Sequence, residues 1–137
     1  MATAYNSPAL INLALPSTTA TTGVIATGAK VASMVMPYAG TITGVSVAAG
    51  TAPTGGASTI TVDVNVAGTT IYTTQANRPA IAVGAFSAVG GAAAANTFTA
   101  GQVVTVDIDA VGSTEAGRNV SVTLAVDFAP TAALLNA

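Results

Sequence analysis

The chain has no cysteine, no histidine and no tryptophan. Without cysteine it forms no disulfide. Without histidine it lacks Ser-His-Asp and Cys-His catalysis, proton transfer by imidazole near neutral pH, and the usual zinc and iron ligands. These absences exclude most enzyme classes. We therefore expect a non-enzymatic protein with no catalytic residue, no cofactor and no bound metal.

Charged residues are also scarce, at 6% of 137 residues, and the net charge is −2. The only cations are Lys30, Arg78 and Arg118, so the chain has no basic patch to neutralise a nucleic-acid backbone. A monomer usually avoids self-association by interspersing charges on its exterior. A surface with so few charges predicts that much of it is buried in an assembly.

Long apolar runs are missing as well. The uncharged stretches 31–62 and 79–106 are broken by Gly, Pro, Thr, Ser and Asn well before the ~18 consecutive apolar residues of a membrane span. The first ten residues, MATAYNSPAL, place no basic residue ahead of an apolar block, unlike a secretory signal. We expect a protein without membrane partners.

What the chain does contain is material for a β-branched core. Ala, Thr and Gly make up about half of the residues and aromatic residues only 4%, so the core must come mainly from Val, Ile and Leu, which favours sheets. Alternation with period two recurs between turn-forming clusters, as in antiparallel sandwiches. The sequence predicts an all-β fold, a single antiparallel β-sandwich with extended terminal arms.

The clearest strand covers residues 58–66, where alternation separates a core face from a solvated face. The core residues are Ile60, Val62, Val64 and Val66, and the solvated residues are Thr61, Asp63 and Asn65. The short Ala67-Gly68 connection to the β-rich run 69–74 predicts a hairpin.

Four further strands are predicted at residues 30–37, 40–48, 102–111 and 119–128. Gly44 interrupts the alternation of the second of these, which predicts a β-bulge. Loops are expected at 16–22, 49–57, 89–96 and 112–118, the last with its charges exposed.

The domain boundaries follow from this pattern. Residues 1–29 are predicted to form an N-terminal arm and first strand, 30–128 the β-sandwich, and 129–137 a C-terminal tail. The apolar segments 9–15 and 132–137 have two explanations. They either dock on a neighbouring subunit or cover the ends of their own sandwich.

The remaining candidates for chemistry are the five carboxylates Asp63, Asp107, Asp109, Glu115 and Asp127. Asp107 and Asp109 lie about 7 Å apart on one strand face, in the range of an inverting glycosidase pair. Asp63, Asn65, Asp107 and Asp109 could bind Ca²⁺ if their strands are neighbours. A solvated sheet face explains the same residues without a site, and the chain has no tryptophan platform for sugars. We prefer that interpretation.

Arg78 is a lone cation in an otherwise uncharged region, and Pro79 after it favours an extended backbone. Two interpretations are open. The segment is either a turn between strands or the source of an ion pair that pins a subunit interface.

Six short motifs punctuate the chain. They are PYAGTITGV (37–45), APTG (52–55), TVDVNVAGTTIY (61–72), NRPAI (77–81), TAGQVVTVDID (99–109) and VGSTEAG (111–117). In this order, and over residues 30–128, they resemble small β-sandwich proteins among phage virion components. The resemblance implies a jelly-roll-like sandwich on a phage particle, commonly a trimer, and it carries over no functional residue.

Composition and resemblance together predict a capsid decoration or cement protein on the virion surface, made in the host cytoplasm. Its partners would be the major capsid protein or neighbouring virion proteins, with a homotrimer favoured and the terminal segments supplying multivalent contacts. The alternative is a glycan- or receptor-binding module of a tail fibre, or another tail or baseplate component, with loops 49–57 and 84–97 as its specific surface. A third possibility is a polysaccharide-degrading enzyme that uses Asp107 and Asp109.

Overall fold

The computed structural model describes residues 7–18 and 22–129, which form ten β-strands and one 3-10 turn at Gln75–Asn77. The strands are β1 Ser7–Ala14, β2 Gly28–Val35, β3 Gly40–Thr51, β4 Ile60–Val66, β5 Thr69–Thr70, β6 Ala80–Ile81, β7 Ser87–Val89, β8 Thr97–Phe98, β9 Val103–Ala110 and β10 Arg118–Phe128. The described residues include no helix long and apolar enough to cross a membrane.

The strands form two five-stranded antiparallel sheets. Sheet A has the order β1-β10-β3-β7, with β8 also paired to β3. Sheet B has the order β2-β9-β4-β5, with β6 also paired to β4. The predicted all-β, antiparallel sandwich is confirmed, and the finer jelly-roll-like description stays a prediction.

The core lies between the inner faces of the two sheets. In β4 and β10 every second side chain is buried, as the period-two alternation predicted. The fully buried residues of these two strands and of β9 are Ile60, Val62, Val64, Val104, Val106, Val122 and Leu124. Because β-branched and aliphatic side chains from both sheets form one cluster, the fold has a packed core with little aromatic content.

The predicted irregularity at Gly44 is present as a β-bulge. Ala125 of β10 pairs with Gly44, while the next residue, Val126, pairs with Ile42. Thr43 therefore has no partner in the ladder, and the extra residue restores the inward phase of Ile42 and Val45, which are both buried.

The predicted hairpin after β4 is also confirmed. Asn65 pairs with Thr70 and Val66 with Thr69, and the two turn residues have positive φ angles, 49° at Ala67 and 85° at Gly68. Two such residues make the tight turn that matches the twist of the flanking strands. The strand is shorter than the predicted run 69–74, because only Thr69–Thr70 pairs with β4.

The apolar segment 9–15 covers its own sandwich. β1 pairs with β10 along its whole length, from Ser7 opposite Phe128 to Ala14 opposite Ser121. The side chains of Ala9, Ile11 and Leu13 pack on the core, and Leu15 is buried. The second apolar segment, 132–137, lies outside the described residues, and the boundaries 1–29, 30–128 and 129–137 stay predictions.

Several predicted loops are partly strand. β3 continues to Thr51, into the predicted loop 49–57, and β7 lies within 84–97. Residues 90–96 have neither strand nor helix. The loop 112–118 is not simply exposed, since Gly112 and Gly117 are buried and Glu115 forms a β-bridge with Thr54. Pairing partners distant in the chain impose these differences.

The core position of β10 can be tested with two identical substitutions. We expect Leu124→Ala to lower the free energy of unfolding by about 2–5 kcal/mol, because it leaves a cavity in a fully buried site. Leu10→Ala is the control, since Leu10 is 76% exposed and its loss should change stability by less than about 0.5 kcal/mol. Urea unfolding of both variants is the measurement, and equal losses would contradict this assignment.

Candidate interaction surfaces

The outer face of sheet B carries most of the ionised groups. Asp63 on β4 lies directly opposite Asp107 on β9, and Asn65 is on the same face of β4. Asp109 lies two residues further along β9. β4 and β9 are adjacent strands, so the condition that the calcium alternative placed on these four residues is met.

Asp63 is not solvated as predicted, because its exposure is only 7%. One oxygen, Oδ1, accepts hydrogen bonds from the Thr70 hydroxyl at 2.7 Å and the Val64 N–H at 2.8 Å. Burial raises the pKa of Asp63, while these two bonds oppose the rise. Burial and the nearby Asp63 charge raise the pKa of Tyr72 to about 12. The buried carboxyl thus holds the β4–β5 hairpin.

Asp107 and Asp109 are also held by partners within the chain. Asp107 accepts the Lys30 backbone N–H at 2.6 Å and the Asn65 side-chain amide at 3.0 Å. Asp109 forms an ion pair with Arg78. Within residues 7–18 and 22–129, no group of three or more acidic side chains is arranged to hold a metal ion. Each of these carboxylates is therefore bound by a hydrogen bond or an ion pair within the chain.

Arg78 follows the 3-10 turn between β5 and β6, as the turn interpretation predicted. Its Nε donates to the Gln75 carbonyl at 3.0 Å, and its Nη1 donates to Asp109. Arg78 therefore finds its partner within its own chain. An ion pair across a subunit interface, the other interpretation, is not required to satisfy its charge.

A second ion pair joins Arg118 to Glu115 in the 112–118 loop. Nη2 of Arg118 lies 3.0 Å from Oε2, and Nε lies 3.2 Å from Oε1. These bonds lower the pKa of Glu115. Thr54 ties the same loop to the 49–57 segment through its backbone N–H, 2.9 Å from the Glu115 carbonyl oxygen. The two loops therefore form one end of the sandwich.

The outer face of sheet A has the opposite character. Its outward positions are Pro8, Leu10, Asn12 and Ala14 on β1, Ser121, Thr123, Ala125 and Asp127 on β10, Thr41, Gly44, Ser46 and Ala48 on β3, and Ser87 and Val89 on β7. Asp127, near one end, is the sole charged residue among them. The rest of the face is uncharged, and most of its side chains are short.

This face forms a shallow trough with apolar rims. Leu10 on β1 and Val89 on β7 stand at opposite edges and are 76% and 78% exposed. Between them, a groove of about 250 Å³ has a floor that includes Ser46, Thr123 and Ala125. The sequence does not indicate this trough, since only the pairing of β1, β10, β3 and β7 places these residues side by side.

A third surface lies where the 49–57 and 84–97 segments meet. The Ala49 N–H donates to the Phe86 carbonyl at 2.8 Å, and the Gly84 N–H donates to the Pro53 carbonyl at 3.0 Å. Phe86 is 59% exposed. The two segments predicted as a ligand-binding surface are thus neighbours, and they present one aromatic ring to solvent.

Comparison with known proteins assigns no family. No protein-family model and no curated protein matches the chain. Among solved structures, a chain of the cyanophage Pam1 capsid asymmetric unit is similar over 91% of this chain and 86% of its own length, with a TM-score of 0.47 and 18% identity. At this level of likeness, the comparison identifies neither a family nor an activity.

The raised pKa of Asp63 has a consequence for stability. A carboxyl with a raised pKa in the folded state contributes stability below its unfolded value, near 3.8, and loses that contribution as the pH rises through its folded pKa. Asp63→Asn keeps the Oδ1 acceptor and removes the charge. We expect this variant to unfold at higher urea concentration than the wild type at neutral pH, with the gap closing below pH 3.8.

Asp109→Asn is the matched control, because it removes a carboxylate that is paired with Arg78. At neutral pH this variant should be unchanged or less stable by up to about 1 kcal/mol. If Asp63→Asn destabilised the protein at neutral pH, the buried charge would be a net stabilising group, contrary to this account.

Proposed function

We propose that this protein is a non-enzymatic structural component of a phage virion, and that it decorates and stabilises the head as a cement protein. The outer face of sheet A rests on the major capsid protein or a neighbouring virion protein, and the protomers associate as a trimer. The resemblance of the motifs between residues 37 and 117 to small virion β-sandwiches supports the class of assembly.

The unequal distribution of charge between the two sheets carries the proposal. The outer face of sheet B holds Asp63, Asp107 and Asp109 together with Lys30 and Arg78. The outer face of sheet A offers Ser, Thr, Ala and Gly with apolar rims, and its one carboxylate lies near the end of β10. Burying an uncharged face of short side chains costs little desolvation. Sheet A is therefore the side suited to a protein partner.

The size of this face fits an assembly in which many weak contacts act together. Three strands, β1, β10 and β3, lie about 4.8 Å apart and run side by side over about eight residues, and together with the short β7 they cover roughly 400 Å². This area is below the ~800 Å² per partner of a standard stable interface. A single face would bind weakly. An oligomer on a repeating shell would bind tightly. Once one protomer of the oligomer is bound, the faces of the other protomers are already held close to their own binding sites.

A non-enzymatic role is supported by the fact that the carboxylates of sheet B already have partners within the chain. Asp63, Asp107 and Asp109 each accept a hydrogen bond or form an ion pair within the chain. A glycosidase pair instead needs one carboxylate free to attack or activate water and another free to donate its proton to substrate.

The second candidate function is recognition of a glycan or receptor by a tail or baseplate component. Its support is the exposed Phe86 ring beside the 49–57 segment. Sugars stack on such rings, so Phe86→Ala should abolish binding in a glycan-array screen that detects a ligand for the wild type. Leu10→Ala, which removes an exposed side chain from sheet A, serves as the control. A wild-type protein that binds no glycan on the array would remove this candidate.

The decoration role can be tested by adding purified protein to virus particles that lack it. We expect Ala48→Lys, on the interior strand β3 of the sheet A face, to reduce particle occupancy more than about tenfold, because an unpaired buried charge costs several kcal/mol. Thr69→Lys makes the same charge change at an exposed position of sheet B and should bind normally. Occupancy is measured by pelleting and by imaging of the particles. Undiminished binding of Ala48→Lys would exclude this face.

A further inference from the structure

β1 is the end strand of sheet A, and one of its edges has no partner among the described strands. The Leu15 N–H donates to the Val120 carbonyl at 2.8 Å. Since hydrogen-bonded positions alternate in an antiparallel ladder, the odd-numbered residues of β1 bond to β10. The N–H and C=O groups of Leu10, Asn12 and Ala14 therefore point away from the sheet.

The other edges of the two sheets are protected in the ways that natural sheets use. β5, β6 and β8 have two residues each and β7 has three. β2 is longer, but its register breaks between Gly28 and Ala32, and it carries Lys30 with a positive φ of 53°. Among the edge strands in the described part of the chain, β1 is the one that is long, pairs in an unbroken register and carries no charged residue.

Two prolines bracket this open edge. Pro8 and Pro16 lie four residues before and four residues after Asn12, and neither has an N–H to donate. If two copies of β1 pair antiparallel about a two-fold axis at Asn12, each Pro8 faces Pro16 of the other copy. This register keeps both prolines at the ends of the ladder, whereas a register centred nearer to Pro8 would place that proline inside the ladder and remove a hydrogen bond there.

We propose that β1 pairs with β1 of a second copy of this chain, antiparallel and about a two-fold axis at Asn12. The two copies of sheet A then form one continuous sheet. Leu10 of each copy pairs with Ala14 of the other, and Asn12 pairs with Asn12. Roughly six backbone hydrogen bonds join the copies, two for each hydrogen-bonded pair of residues.

The side chains of this edge fit a second copy. Every residue from Pro8 to Pro16 is uncharged, so like charges do not meet across the axis. Leu10, 76% exposed, gains apolar cover from the small Ala14 side chain opposite. Asn12 is held by its hydrogen bond to the Thr123 hydroxyl at 2.9 Å, which orders the residue at the centre of the contact.

The β1–β1 contact does not depend on the proposed decoration role. If both proposals hold, it adds a two-fold interaction between copies to the assembly. In a trimer it would join one trimer to the next. The buried edge is smaller than a standard interface, so association is reversible and depends on concentration.

The test uses opposite charges at the two-fold centre of the full-length protein. We expect sedimentation across a concentration series to reveal an association step in the wild type. Asn12→Lys should weaken that step more than about tenfold, because the register sets lysine against lysine. Asn12→Asp should weaken it similarly. An equimolar mixture of the two variants should restore it, since only residue 12 facing residue 12 makes the charges complementary.

Ala48→Lys is the matched control, since it adds the same charge to the sheet A face away from the edge. It should retain the association step even if it loses particle binding, so the proposed contact and the decoration role can fail separately. The proposal is overturned if the wild type shows no association step that Asn12→Lys weakens, or if the mixture fails to restore that step. Equal loss in Ala48→Lys would show pairing through the face and would also overturn it.

Discussion

The structure depends on burying the inner faces of two sheets against each other with aliphatic side chains. With aromatic residues at only 4% of the chain, valine, isoleucine and leucine must fill the space between the sheets. In β4, β9 and β10 these residues occur at every second position. Since successive side chains of a strand point to opposite faces, the requirement to bury one set determines where all the others point.

The outward side chains give the two sheets different surfaces. On sheet B, Asp63, Asp107 and Asp109 interleave with buried residues and are satisfied by a hydroxyl, backbone N–H groups, an amide and a guanidinium from the same chain. On sheet A the outward positions are small, polar or, at Leu10 and Val89, apolar, and Asp127 is the one charged residue among them. The carboxylates of one face are thus held by partners within the chain, and charge is largely absent from the other face. This asymmetry is the main difference between the two outer faces of the sandwich.

Features that depend on neighbouring residues were predicted well. Alternation located β4, β9 and β10, the Ala67-Gly68 pair located a hairpin, and Gly44 located a bulge. Features that depend on contacts between distant residues were not predicted. Asp63 was assigned to a solvated face because alternation reports only direction, and its burial at the β4–β5 hairpin depends on tertiary packing. The pairing of β7 with β3 joins residues about forty apart, which no local pattern indicates.

The amino-acid sequence alone determined the all-β class, the phase of the main strands and the absence of histidine and cysteine chemistry, because each follows from composition or from the spacing of nearby residues. Only the tertiary structure decided that segment 9–15 is an edge strand, that Leu10 and Val89 rim one trough, and that the two candidate loops meet. These features require contacts between distant residues, such as the hydrogen bond from Asn12 to Thr123. Register between strands so far apart is set by packing of the whole core, which local sequence does not encode.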